Sequence, residues 1–281
     1  MLQIGKVNKL IVNSKGSDGY SLKPQESDEP IFLPLRHAKK EHKKGEELDG
    51  FVYIDTNTER LLASEDIPKA QVGEYACLQV VEAPEFGAFL DWGLEKDLLV
   101  PGNEQKVKLR VDEWALVKVC LEEGTNRIYG TTKLGKHLLN TEFDIEEKSK
   151  VEIVPVEESD LGYRSIINKK YIGMLYKSEV FEKVQLDKRY RGYVKKIRQD
   201  GLVDLALQPQ GARNLFESKD KVLLIIKKEG GKVALTDKSS PEDIYEMFSM
   251  SKKTFKAAVG MLYKDRAIII NKDSIELNKD K

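Results

Sequence analysis

The pattern of apolar and polar residues changes once along the chain, near Pro209. Up to that residue, short apolar runs of β type are separated by turn residues, which is the spacing of an all-β region. Beyond it, apolar residues recur at helical spacing. The pattern therefore predicts a long β-rich part followed by a smaller, mainly helical part.

Three pairs of apolar runs around polar turns divide the β-rich part at intervals of about 70 residues. A repeat of this length is too long for a solenoid and predicts three tandem small β-barrels. The predicted hairpins span residues 48–64, 114–134 and 191–207, with turns at Asp55-Thr56-Asn57, Glu123-Gly124-Thr125-Asn126 and Asp200-Gly201. We expect Asp200-Gly201 to form a two-residue turn in which both φ angles are positive.

The helical part predicts three helices and a two-stranded wing, which together make a winged helix. Residues 212–228 form the first helix, Ser240 caps a second that begins at Pro241, and Ser251 caps a third that ends at Lys264. The wing is predicted from residues 267–270 and 274–277. The third helix has one apolar stripe, consisting of Phe255, Ala258, Val259, Leu262 and Tyr263.

The predicted fold class is thus mainly β, with three tandem barrels followed by an α+β winged-helix domain. The barrels are assigned to residues 1–66, 67–147 and 148–211, and the winged helix to residues 212–281.

The charge of the chain changes sign between its two halves. The formal net charge is zero, from 47 basic and 47 acidic side chains. Residues 1–147 hold 19 basic and 27 acidic side chains, a sum of −8, whereas residues 148–281 hold 28 and 20, a sum of +8. Because binding to a polyanion releases its counterions, we expect a nucleic acid to contact the C-terminal half. Attraction between the two halves is the alternative explanation.

Composition and motifs argue against several protein classes. Two cysteines, Cys77 and Cys120, and three histidines do not make a disulfide framework or a structural zinc site, and they indicate a reducing cytoplasm. No apolar run reaches the ~20 residues of a membrane span, and residues 1–15 lack the core of a signal peptide. There is no phosphate-binding loop, nucleophile elbow or histidine pair, so we expect no catalytic site, metal or cofactor.

Each predicted barrel opens with related motifs. In the second, residues 85–93 (Glu-Phe-Gly-Ala-Phe-Leu-Asp-Trp-Gly) precede residues 97–101 (Asp-Leu-Leu-Val-Pro), and related segments begin at Asp18 in the first block and Leu161 in the third. These motifs resemble the S1 type of OB-fold. The resemblance implies an RNA-binding face made by a Phe-Gly-x-Phe turn, a histidine on the next strand, and an Asp and an Arg flanking the last hairpin.

The order of three S1-like barrels followed by a winged helix resembles the conserved virulence factor B family over essentially the whole chain. The segments that begin at Arg191, Asp237 and Met250 resemble that family as well. The resemblance implies a bacterial, cytoplasmic RNA-binding protein. It also implies a regulator of virulence that acts after transcription and has no chemistry of its own.

By the S1 pattern, the second barrel keeps Phe86, Phe89 and Arg127 as RNA-binding residues. Val100 stands at the histidine position and Glu122 at the aspartate position. Aromatic rings stack bases and basic groups follow the phosphates of single-stranded RNA. The alternative is that one of the two rings belongs to the barrel core.

The third barrel departs from the pattern, because Leu161 and Arg164 stand at the phenylalanine positions, Tyr176 at the histidine position and Arg198 at the aspartate position. Stacking by Tyr176 and Arg164 is expected to replace the missing rings.

The first barrel has Asp18 and Ser21 at the phenylalanine positions and keeps Asp55 and Arg60. A weak or structural role is expected for it.

The run of residues 188–198 contains six basic residues and two tyrosines in eleven positions. Strand alternation predicts two sets on opposite faces, with Arg191, Tyr193 and Lys195 on one and Lys196 and Arg198 on the other. The tyrosines favour RNA contact. A solvated edge that discourages strand pairing is the alternative.

On the third helix, Lys252, Lys253 and Lys256 are candidates for phosphate contact, assisted by Arg266 and Lys272 in the wing. Lysine is a point charge that suits phosphate better than a base edge, which favours non-specific contact. A solvated lysine face is the alternative.

The leading functional hypothesis is non-catalytic binding of single-stranded RNA by the third barrel and the winged helix, with the second barrel extending the track. The alternatives are a DNA-binding transcription regulator acting through the winged helix, and a scaffold bound to ribosomes or a ribonuclease. No membrane contact is expected.

Overall fold

A computed structural model describes residues 2–55, 58–139, 142–177, 180, 183–208 and 212–278, without the side chains of residues 212–217. The chain divides into two compact units, one comprising Met1–Glu142 with Ile166–Ile172 and the other Phe143–Ser165 with Gly173–Lys281. Thr56 and Asn57 of the first predicted turn, and residue 211 at the predicted boundary of the last domain, lie outside the described residues.

The first barrel is closed and has the strand order of an OB-fold. Its long first strand pairs with both the second and the fourth, and a parallel pair between the third and fifth completes the ring. The strands are β1 (Lys6–Lys15), β2 (Gly19–Pro24), β3 (Ile31–Pro34), β4 (Glu47–Ile54) and β5 (Leu61–Ser64). A short 3₁₀ turn, Leu35–His37, follows β3.

The second barrel has the same topology without a hydrogen-bonded seam between its third and fifth strands, in the order β10-β9-β6-β7-β8. Those two strands are nevertheless in contact. The backbone of Gly130 lies so close to the Val100 side chain that a Cβ added to Gly130 would be 2.8 Å from Val100 Cγ2. The strands are β6 (Tyr75–Glu82), β7 (Gly87–Asp91), β8 (Leu98–Pro101), β9 (Trp114–Leu121) and β10 (Ile128–Thr131), followed by the short helix α1 (Gly135–Leu139).

The cores of the first two barrels are continuous. Phe51 of β4 belongs to the cluster that fills the second barrel, and its ring packs edge-on against Trp92 with the centroids 5.7 Å apart. These barrels therefore form one compact unit.

The third barrel is closed in the order β11-β12-β13-β15-β14. Its strands are β11 (Lys150–Glu158), β12 (Gly162–Ile167), β13 (Tyr171–Tyr176), β14 (Tyr190–Ile197) and β15 (Val203–Ala206). The fold class predicted from the sequence, three OB-type barrels and a winged helix, is confirmed.

The turn predicted at Asp200-Gly201 is wrong in type. Ile197 pairs with Val203, so five residues connect the strands, and within this connection a positive φ, +80°, occurs at Gly201 and not at Asp200. The Asp200 carboxylate instead accepts a hydrogen bond from the backbone N–H of Leu202, at 3.1 Å. The side chain therefore stabilises the longer turn that the dipeptide pattern does not distinguish.

The winged helix contains α2 (Ala212–Lys228), β16 (Lys232–Val233), α3 (Pro241–Phe248), α4 (Lys252–Lys264), β17 (Ile268–Ile270) and β18 (Ile275–Leu277). Both predicted caps are confirmed: Ser240 Oγ accepts from Asp243 N–H at 3.0 Å, and Ser251 Oγ accepts from Thr254 N–H at 3.1 Å. None of the described helices has the length and apolar content needed to cross a membrane.

Two details of this domain differ from the sequence prediction. The wing sheet has three strands, because β16 also pairs with β18. Tyr263 is 58% exposed, whereas the other predicted members of the apolar stripe are buried. Tyr263 occupies the last turn of α4, at the edge of the stripe, where no described core element covers it.

In every barrel, the second strand starts with a glycine that lies against the third strand. A Cβ at any of these positions would lie closer than 3.0 Å to a backbone carbonyl oxygen. The pairs are Gly19 with Leu33 O, Gly87 with Val100 O and Gly162 with Leu175 O. A backbone oxygen cannot rotate away as a side chain can, so the close approach requires glycine.

Replacing this glycine should therefore destabilise the barrel. We expect Gly162→Ala to lower the free energy of unfolding by about 1–3 kcal/mol, as overpacking does in other cores. The measurement is urea unfolding of the whole chain, with hydrogen exchange to localise the loss to β12 and β13.

Gly260→Ala is the matched control, since a Cβ on that α4 residue would meet nothing within 4 Å. It should raise stability by about 0.5–1 kcal/mol, the difference in helix propensity. An equal effect of the two changes would contradict the close-approach argument.

Candidate nucleic-acid interface

The strand register identifies equivalent positions in the three barrels. In each barrel, the last residue of the third strand lies beside the glycine that starts the second strand. Gly19 pairs with Pro34 and Gly87 with Pro101, while a Cβ on Gly162 would lie 2.8 Å from Tyr176 Cα. Tyr176 therefore occupies the position that proline occupies in the other two barrels.

This register corrects the residue assigned to the histidine position of the second barrel. Val100 is completely buried in the barrel core, and the residue equivalent to Tyr176 is Pro101. The outward residue opposite Phe89 on β8 is Leu99. The assignment from the S1 pattern is displaced by one residue here, and on a strand such a shift exchanges the inner and outer faces.

The last hairpins are also equivalent, because each is closed by the same backbone hydrogen bond. The N–H groups of Asp55, Glu122 and Arg198 donate to the carbonyl oxygens of Arg60, Arg127 and Leu202, at 2.9, 2.8 and 2.9 Å. The placement of Glu122 and Arg198 at the aspartate position agrees with this geometry. In the third barrel, leucine replaces the arginine.

Both predicted rings of the second barrel lie at its surface. Phe86 is 64% exposed and Phe89 is half-buried, with their rings edge to face and centroids 6.0 Å apart. Neither ring is part of the core. Trp114, the first residue of β9, is a further exposed ring, at 58%, that the sequence analysis did not single out. Its position before an apolar run resembles the start of an ordinary buried strand.

In the third barrel, the structure brings Tyr176 and Arg198 together. Arg198 Nη1 donates to the Tyr176 hydroxyl at 3.5 Å, and Nη2 donates to Asp200 at 2.7 Å. Asp204 lies 3.8 Å from the same guanidinium. Arg164 instead forms an ion pair of 2.8 Å with Glu157. The Tyr176 hydroxyl and the Arg198 guanidinium are thus neighbours, and both side chains are partly exposed.

The outward set predicted on β14 agrees with its burial pattern. Arg191, Tyr193 and Lys195 are exposed or partly exposed, and they alternate with the buried residues Gly192 and Val194.

The prediction that Lys196 and Arg198 lie on the opposite face of β14 is wrong. A β-bulge between Val194 and Lys196 interrupts the alternation, and Lys196 is exposed. An extra residue in a bulge shifts all following side chains to the other face, which a strict two-residue period does not predict. Both residues therefore lie outside the barrel together with the first set.

The lysines of α4 lie in the first turns of the helix. Lys253 is exposed, Lys252 Nζ donates to the carbonyl of Lys238 at 3.4 Å, and Lys256 Nζ lies 3.8 Å from Asp237. Arg266 and Lys272 are exposed beside β17.

Nine of the eleven predicted basic residues fall into two groups, and Lys195 and Lys252 belong to neither. Arg164, Arg198 and Lys256 are paired with carboxylates within the domain. No carboxylate of the described residues forms an ion pair with Arg127, Arg191, Lys196, Lys253, Arg266 or Lys272. Exposed ion pairs contribute only ~0–1 kcal/mol each, so a phosphate can replace the carboxylate partner of a residue in the first group. Residues in the second group can bind a phosphate without first losing a carboxylate partner.

Neither a metal cluster nor an activated thiol is found among the residues that the structure describes. No cluster of three or more His, Cys, Asp or Glu residues there is arranged to hold a metal ion. Cys120 Sγ lies 4.0 Å from His137 Nε2, but burial raises the pKa of the thiol and lowers that of the imidazole. Both shifts favour the neutral forms, which are unsuited to a thiolate nucleophile.

Comparison with known proteins identifies two domain types. Residues 4–64 match the S1 domain family, and residues 220–277 match the CvfB-like winged helix domain. Both are nucleic-acid-binding folds, and neither is an enzyme family. The S1 match falls on the first barrel, in which the S1 motifs are weakest.

Relatives align over nearly the whole chain. An uncharacterized protein of Bacillus subtilis strain 168, YitL, is 28% identical over 93% of this chain and 89% of its own length. The proteins called conserved virulence factor B in Staphylococcus saprophyticus and Staphylococcus aureus strain USA300 are each 26% identical, over 98% and 94% of this chain and 95% and 88% of their own lengths.

A solved structure from Streptococcus pneumoniae, described as a multidomain protein with nucleic acid binding domains, aligns over 98% of both chains at 21% identity, with a TM-score of 0.40.

The domain order, the two family matches and the full-length relatives agree. The chain contains an S1 domain and a CvfB-like winged helix domain, and over nearly its whole length it is similar to the proteins called conserved virulence factor B.

Proposed function

We propose that this protein binds single-stranded RNA and regulates gene expression after transcription, without catalysing a reaction. The observation that supports this most strongly is the position of Tyr176. Tyr176 is an aromatic residue at the position where the other two barrels have proline. Its ring lies next to Arg198 and near the basic strand β14.

Tyr176 and β14 together supply both kinds of contact that single-stranded RNA requires. Rings stack on bases whatever their sequence, and basic side chains neutralise phosphates. Arg191, Tyr193, Lys195 and Lys196 lie on the outer surface of the same barrel. We therefore assign the main RNA contacts to the third barrel.

The winged helix adds phosphate contacts through Lys252, Lys253 and Lys256, with Arg266 and Lys272. The second barrel contributes a further stacking contact through Phe86, the more exposed of its two predicted rings. The charge of +8 on residues 148–281 favours the same half of the chain. Cys77 and Cys120 form no disulfide, which fits a protein that acts in the reducing cytoplasm.

Binding of duplex DNA is the second candidate function, because residues 220–277 match a winged-helix domain and α4 is its best-defined helix. Recognition helices of this fold class enter the major groove. The lysine-rich start of α4 is suited to phosphate and not to base edges, which is why we place RNA first.

Removing the Tyr176 ring should weaken RNA binding without changing its salt dependence. A stacked base contributes ~1–3 kcal/mol, so Tyr176→Ala should raise the Kd for a labelled single-stranded RNA by roughly 5- to 150-fold. Tyr176→Phe keeps the ring and should bind within about twofold of the wild type. Fluorescence anisotropy over a salt series measures both quantities.

Thermal unfolding of the same variants is the control. If Tyr176→Ala loses affinity only in proportion to its loss of folded protein, the ring is structural and the stacking assignment is wrong.

Replacing Lys252, Lys253 and Lys256 together by Ala should weaken binding to unrelated RNA sequences equally. The slope of log affinity against log salt should shrink by ~0.7 for each lost phosphate contact. The buried stripe of α4 is untouched, so the fold should persist. Lys221, Lys227 and Lys228 on α2 provide a matched control, since their replacement removes the same charge from the same domain.

If the protein instead recognises duplex DNA through α4, we expect another result. The wild type would select particular duplex sequences, and the α4 variant would lose that selection while it retains most RNA binding. This result would replace RNA by DNA as the principal ligand.

A further inference from the structure

A groove of about 970 Å³ lies within the unit formed by the first two barrels. The first barrel lines it with the turn after β3 and the end of β4. The second barrel lines it with the β7–β8 connection and the β9–β10 hairpin. Phe89 and Arg127, two residues predicted to bind RNA, lie in its wall.

The lining is strongly acidic, with seven carboxyl groups and three basic side chains. Two of the carboxylates are paired across the groove: Glu95 with Arg36 at 2.8 Å, and Asp55 with Lys96 at 3.0 Å. The other five form no ion pair with any residue that the structure describes. They are Glu82, Asp97, Glu104, Glu122 and Glu123.

Two of these five carboxylates lie in surroundings that disfavour their negative charge. Burial, and then the carboxylates of Asp91 and Glu82, raise the pKa of Asp97. Glu104 Oε2 is buried and has no hydrogen-bond partner among the described residues. A buried acceptor without a donor is unfavourable, and a positive charge in the groove would offset part of that cost through space.

The groove also contains surface that suits the stems of long basic side chains. Tyr53, Phe89, Leu99 and Tyr129 line it between the carboxylates. Lysine and arginine pack their methylene groups against apolar surface, and their charged ends interact favourably with aromatic faces.

We propose that this groove binds a lysine- and arginine-rich segment of a partner protein in an extended conformation. Charge complementarity selects a cationic occupant, and the volume accommodates a few side chains and not a folded surface. The inference is independent of the proposed RNA function, and it assigns Phe89 to the peptide site.

Two other occupants fit the same observations less well. An RNA strand in the groove would bring phosphates close to five unpaired carboxylates, a like-charge arrangement that opposes binding. A metal ion requires converging ligands, and no such cluster occurs in the described part of the chain.

The test uses the whole chain and a labelled decapeptide of alternating arginine and lysine, followed by fluorescence anisotropy. One variant combines Glu82→Gln, Asp97→Asn and Glu122→Gln. The matched control combines Glu29→Gln, Glu47→Gln and Asp49→Asn, which removes the same charge from exposed positions outside the groove. The groove variant should raise the peptide Kd roughly tenfold and the control less than about twofold.

Phe89→Leu, which changes no charge, should raise the same Kd by roughly threefold, since it removes an aromatic face. If the groove variant is poorly folded, the peptide Kd of Phe89→Leu is the test of the proposal. Equal effects of the groove and control variants, together with no effect of Phe89→Leu, would overturn the proposal. Displacement of the peptide by MgCl₂ beyond that by NaCl at equal ionic strength would assign the groove to a divalent cation instead.

Discussion

Each barrel depends on a close approach between its second and third strands that only glycine permits. Gly19, Gly87 and Gly162 lie at the same register, each against a backbone carbonyl of the next strand. Since this contact fixes the start of the second strand, the residue before the glycine and the second residue after it are held at the barrel surface. The glycine of the Phe-Gly-x-Phe motif is therefore a requirement of the fold, whereas these two surface positions are free to change.

The three barrels use that freedom differently. The second has Phe86 and Phe89 beside its glycine, the first has Asp18 and Ser21, and the third has Leu161 and Arg164. The third barrel alone has an aromatic ring, Tyr176, opposite the glycine, where the other two have proline. One scaffold thus presents an acidic groove in the N-terminal unit and a basic, tyrosine-containing surface in the C-terminal unit, in line with the opposite charges of the two halves of the chain.

Sequence reasoning predicted those features that depend on local chemistry. Strand hairpins, the serine caps of α3 and α4, and the apolar stripe of α4 follow from the preferences of neighbouring residues. The bulge before Lys196 and the one-residue displacement at Val100 are different, because strand register is fixed by pairing with distant residues. The acidic groove was not predicted, since its walls come from two barrels that share one core.

The central claim is that RNA binds mainly to the C-terminal unit, although all three barrels have the same fold. Photocrosslinking of single-stranded RNA containing 4-thiouridine to the whole chain, with the adducts mapped by mass spectrometry, tests it most directly. The account predicts that most adducts lie between residues 143 and 278, with Tyr176 among them, and that the carboxylate-lined groove is not labelled. Adducts confined to residues 1–142 would contradict it.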